Sequence, residues 1–129
     1  MKNYVLFIFT ILLFTSCLTG IKNEDLIGQW KYTKYEYTNK SVAAPNIDLS
    51  EQQPYIVFHG DGKAEIYSSG KLLSHGTYFL DHKIIRYEEV LENGVKRKIP
   101  FLIKALNQTT LVFETMEAEV KRITAEKTN

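Results

Sequence analysis

After Gly20 no stretch sustains a helical period; short β-branched and aromatic runs alternate with turn signals. No other feature restricts the fold as strongly, because such runs satisfy their backbones only by pairing with neighbouring strands. In the first run, "IGQWKYTKYEYT", strict alternation puts Trp30 and Tyr32 on one face and Tyr35 and Tyr37 on the other, so a bend or bulge near Thr33 is predicted. "YIVFHGDGKAEIYSS" reads as a hairpin, with strands Tyr55–His59 and Lys63–Ser68 about a Gly60–Gly62 turn. A further strand is centred on Thr77–Leu80, and a second hairpin turns at Asn93 and Gly94. Pro100 lies in that hairpin's return strand, which must be bulged or edge-like there. "TTLVFET" and "EAEVKRITA" pair across Met116 and Glu117. Between the first two strands, Asn39–Pro54 is a long loop with room for one helical turn at Asp48–Gln52.

About eight strands joined to their sequence neighbours predict an all-β fold, a single small antiparallel up-and-down β-barrel. Closure removes the exposed edges that such a sheet would otherwise have to protect.

The front of the chain has a different character. Lys2 precedes an uncharged apolar run, Tyr4–Phe14, too short for the ~20 residues that a membrane-spanning helix needs but matching the core of a secretory signal. The "LFTSC" that follows resembles a bacterial lipobox, although Phe14 stands where an aliphatic residue is usual. The resemblance implies lipidation of Cys17, the sole cysteine, after cleavage of a signal peptide covering residues 1–16. Residues 17–25 then serve as a lipidated tether and 26–124 as the barrel domain. The alternative is an ordinary secretory signal with an incidental cysteine; a lone thiol builds no disulfide framework. Loss of Lys2 leaves 15 Lys+Arg against 15 Asp+Glu, so no basic excess favours nucleic acid. Lys96, Arg97 and Lys98, near Glu88, Glu89 and Glu92, read as a solvated hairpin face.

The stretches "LIGQW", "FHGDGKAEI", "GTYFLD" and "EVKRI", together with the strand count, resemble the lipocalin-like lipoproteins of bacteria across residues 26–123. The resemblance implies that Trp30 closes one end of the barrel, that Arg122 packs across its ring, and that Gly28 allows close approach. Val120 and Arg122 share a strand face, so an inward-leaning Arg122 is geometrically allowed, with Lys121 on the other face.

An eight-stranded barrel is either filled by side chains or just wide enough for one small ligand. Tyr32, Phe58, Tyr67 and Tyr78 are the candidate wall residues; the same aromatics can equally be core. Arg86 joins them if Ile84 faces in, and is a surface residue if Ile85 and Tyr87 do. His59, His75 and His82 lack metal-ligand spacing, and no nucleophile elbow or phosphate-cradling loop is present, so no metal, cofactor or catalysis is expected. The expectation is an exported, membrane-anchored monomer facing periplasm or cell surface, binding a small apolar ligand without catalysis and no nucleic acid. A filled barrel acting as an interaction module for an envelope protein is the alternative, and an enzyme on a small hydrophobic substrate the third reading. The first reading requires a lumen cavity of roughly 300 Å³ or more.

Overall fold

Eight antiparallel strands follow one another around a closed barrel in a computed structural model that describes residues 20–128. The expected signal peptide and Cys17 lie outside the described residues. The strands are β1 (Gly28–Tyr37), β2 (Tyr55–Phe58), β3 (Lys63–Ser68), β4 (Lys71–Asp81), β5 (Ile84–Val90), β6 (Lys96–Leu106), β7 (Thr110–Thr115) and β8 (Lys121–Thr128). Two single-turn helices, α1 (Asn23–Leu26) and α2 (Leu49–Gln52), stand before β1 and inside the β1–β2 connection. Each strand pairs with the next, and β8 returns to β1 from Gln29↔Thr128 to Tyr37↔Lys121, which closes the wall.

The bend expected near Thr33 is a bulge. The β1–β8 register shifts between Tyr32 and Lys34, so Thr33 is the extra residue. The shift returns Tyr35 to the face of Trp30 and Tyr32, where it packs against the core. The helical turn expected at Asp48–Gln52 also forms: Asp48 caps α2, its Oδ1 accepting the Ser50 and Glu51 amides at 3.0 and 3.2 Å.

Pro100 is edge-like without being bulged. It pairs in register with Arg86, while the β6–β7 pairing begins only at Phe101↔Thr115. Leu91 N donates to Val95 O and Ile103 N to Lys83 O, so the odd-numbered β6 residues carry the ladder to β5. The Pro100 nitrogen therefore faces the stretch that β7 leaves unpaired, where no N–H is needed. Lys96, Arg97 and Lys98 stud the same free edge, a composition that discourages pairing with another chain. The bulge in β6 falls instead at Lys104, between Ile103 and Ala105.

At the ends of the barrel, Ile21 packs on the core, Leu26 of α1 is fully buried and β8 runs to Thr128. The barrel thus has a closed end, where α1 meets Trp30, and a mouth ringed by the β1–β2, β3–β4, β5–β6 and β7–β8 connections.

Candidate functional site

The closed end is built around Trp30. Its indole is fully buried, and Nε1–H donates to the Leu26 carbonyl at 2.8 Å. The basic group over its ring is Lys127, whose Nζ lies 5.4 Å from the ring centroid. Arg122 is not there: it sits on the outer face with Nε donating to Glu114 Oε2 at 2.8 Å. Ile123 and Ala125 point inward, so alternation gives Lys127 their parity, where it lies exposed over the closed end, and puts Arg122 on the outer face, contrary to the sequence reading. At Gly28 φ is +136°, which strains any L side chain, and a Cβ there would lie 2.7 Å from the Lys127 Cε, a contact the flexible lysine could relieve by moving.

Above Trp30 the lower lumen is filled. Phe58 and Tyr78 pack edge to face with centroids 4.9 Å apart, and the Tyr78 hydroxyl donates to the His59 carbonyl. Phe113 meets Phe101 at 5.2 Å and Tyr32 at 6.0 Å, again edge on. Phe58 and Tyr78, read from sequence as ligand-wall candidates, are therefore buried core.

Accessibility changes toward the mouth. Tyr32, Tyr35, Ile66 and Ile99 pack on the core yet remain half-buried, so the mouth end of the lumen, the cup, is a partly exposed face and not an enclosed cavity. Tyr32 keeps its place as a candidate here. Burial, followed by the neighbouring phenols of Tyr35 and Tyr87, pushes its hydroxyl well above the ordinary tyrosine range.

In the wall of this cup lies a polar cluster that the sequence reading missed. Ile85, Tyr87 and Glu89 alternate inward along β5, so Glu89 is 8% exposed while Glu88 faces out. The Ser74 hydroxyl donates to Glu89 Oε2 and lies 2.7 Å from the Tyr87 hydroxyl. With the Ser74 proton committed to the carboxylate, Tyr87 is left as the donor to Ser74, and the chain of donors ends on Glu89. Arg97, cross-strand from Glu89, brings Nη2 within 2.7 Å of Oε1, close enough to offset charge but out of line for a hydrogen bond. Lys121 stands on the opposite wall beside Glu117 at 3.4 Å.

Two candidate residues lie outside the barrel. Arg86 faces solvent and pairs with Asp81 at 3.2 Å, because Ile85 and Tyr87 took the inward positions. Tyr67 stacks on Tyr55 with centroids 4.8 Å apart on the outer wall and donates to Glu65 Oε2 at 2.7 Å. Glu65 also contacts His59, and the two partners hold its carboxyl below the usual carboxylate range, the Tyr67 hydrogen bond foremost. Among the described residues, no three His, Cys, Asp or Glu side chains converge as metal ligands. Concavities of about 640 and 290 Å³ lie toward the closed end, one of about 490 Å³ on the outer wall and one of about 280 Å³ between Arg97–Pro100 and Thr115–Glu117 at the mouth end; none of the four is the enclosed lumen cavity that an apolar ligand inside the barrel requires.

No protein-family model matches the chain, and no curated protein does. Among solved structures, the crystal structure at 1.79 Å resolution of a lipocalin-like protein from Bacteroides uniformis ATCC 8492 is similar, with a TM-score of 0.57 and 20% identity. The match covers 81% of this chain and 99% of that one. The barrel has a lipocalin-like fold.

Proposed function

We propose that this chain is a lipoprotein of the bacterial envelope that binds a small molecule non-catalytically at the mouth of its barrel. The observation that carries the reading is the contrast along the lumen. Trp30, Phe58 and Phe113 fill the closed end, whereas half-buried Tyr32 and Tyr35 and a buried polar cluster about Glu89 lie toward the mouth. Burying a carboxylate is costly, and a barrel that needed only to be filled would place an apolar side chain there. The ligand expected from sequence, an apolar molecule enclosed within the barrel, gives way to one seated in the cup with an apolar body and a polar head. Native mass spectrometry of protein purified under mild conditions should find a bound small molecule that Tyr32→Ala abolishes. Unoccupied protein that also takes up no added amphiphile would overturn the binding reading.

The anchor rests on the "LFTSC" segment and on a folded part that begins within a few residues of it. Cys17→Ser should move the protein from the membrane to the soluble fraction; unchanged fractionation refutes lipidation.

A second reading, an interaction module, draws on the outer wall. Tyr55, Tyr67 and Leu72 stand side by side across β2, β3 and β4, next to Leu73, which the β3–β4 register shift turns out to solvent. Tyr67→Ser with Leu73→Ser should then release an envelope partner while leaving small-molecule uptake unchanged.

A further inference from the structure

The charges that face the cup are ordered by depth. Glu89 is the deep one, whereas the Arg97 side chain is 62% exposed at the rim and that of Lys121 is 28% exposed on the opposite wall. One donor, the Ser74 hydroxyl, is already directed at Glu89 Oε2, and Tyr87 in turn is bonded to Ser74. Glu89 Oε1 is buried without an aligned donor, because Arg97 approaches it at 2.7 Å from the wrong angle. The surroundings of Glu89 are phenolic and aromatic: Tyr87 stacks near Phe101, with centroids 6.3 Å apart. Aromatic faces attract cations, and a desolvated carboxylate repels an anion while binding an N–H donor strongly.

Resting on the reading of the mouth as a ligand site, we infer that the cup selects amphiphiles with a protonated amine head, bound through Glu89 Oε1. Arg97 is then an internal stand-in for the ligand. Its guanidinium neutralises Glu89 in the empty cup and swings out to solvent when an ammonium with better alignment arrives. Its exposure makes that movement cheap. A carboxylate head finds the opposite situation, since it must pass the rim cations and then settle against a buried negative charge.

Three ligands of equal apolar length, n-octylamine, octanoate and 1-octanol, separate the possibilities by isothermal titration calorimetry near neutral pH. The protein is the chain from Cys17 onward with Cys17→Ser, which retains the closed barrel and every buried core residue among those described. Octylammonium should bind saturably with one site, at least tenfold tighter than octanoate or octanol. Glu89→Gln should erase that preference. Should Glu89→Gln fail to fold, Arg97→Ala decides: removing the competing cation should tighten octylammonium several-fold and leave octanoate no better bound. Octanoate or octanol binding as well as the amine, or Arg97→Ala weakening the amine, overturns the proposal while leaving a mouth ligand site standing. If none of the three binds, the ligand-site reading falls with it.

Discussion

Replacing Trp30 by alanine tests whether the closed end holds the barrel together. Removal of a buried Trp costs about 3–5 kcal/mol through lost burial and the residual cavity. Two further losses follow from what the ring touches. The Leu26 carbonyl loses its donor, a change of about 1 kcal/mol. The Lys127 ammonium loses the ring face, about 0.5–1 kcal/mol. Adjacent α1 has a single turn and little stability of its own, so Leu26 should loosen with the indole. A total near 5 kcal/mol, with a urea slope of about 1–3 kcal/mol/M for a protein of this size, lowers the unfolding midpoint by roughly 2 M or more. Far-ultraviolet circular dichroism is the assay, because the substitution removes the only tryptophan. Such a loss can exhaust the whole stability of a small domain, so Trp30→Phe provides the graded control. It keeps most of the ring area but not the N–H, and should cost about 1–3 kcal/mol by stranding the buried carbonyl. A loss below about 1 kcal/mol for Trp30→Ala refutes the plug. Equal losses for the two variants would refute the partition into burial and hydrogen bonding.

Lys127→Met should cost about 0.5–1 kcal/mol and change the Trp30 emission, whereas Arg122→Met should leave that emission unaltered; the reverse pattern would restore Arg122 to the ring. Gly28→Ala should destabilise by about 1–3 kcal/mol, read by chemical unfolding. Trimming Lys127 to Ala in the same chain relieves the 2.7 Å contact but not the +136° φ, so most of the loss should persist; full rescue would mean that crowding alone requires the glycine. At alkaline pH, burial raises the Tyr32, Tyr35, Tyr78 and Tyr87 hydroxyls above the ordinary value of 10.0. Their contribution to stability is whole below that pH and is lost as the pH rises above it, because the unfolded chain ionises first. Phenolate absorbance should therefore lag and then rise together with unfolding; all tyrosines titrating near pH 10 in the folded protein would contradict this.

The strand order was legible because each strand announces its own turn: Gly60–Gly62, Asn93 with Gly94, and the Asp48 cap are local signals that no distant contact overrides. The Thr33 bulge was legible for a related reason, as four aromatics could not share one face by alternation alone. What failed was parity. The run "VKRITAEK" has apolar residues at 120, 123 and 125, which no period of two can satisfy together, and only pairing with β1 decides that Ile123 and Ala125 face in, with Lys127 on their parity at the closed end. The same ambiguity made Tyr67 a lumen candidate and left Arg86 open between lumen and surface, whereas both stand on the outer wall. Glu89 was overlooked because two adjacent glutamates look solvated. Continuing the alternation of Ile85 and Tyr87 by one more step would have put it inside.

The chain enters through α1 and leaves through β8 at the Trp30 end, with Gln29 and Thr128 facing each other across the last rung. Every connection at the other end is an internal loop. A reporter or a binding partner fused after Thr128 would project away from the cup, so such a fusion should leave uptake undisturbed. Variation can likewise accumulate in the four mouth loops without touching the indole plug that secures the wall. The barrel thereby separates the part that must stay constant for the chain to fold from the part free to diversify in what it meets.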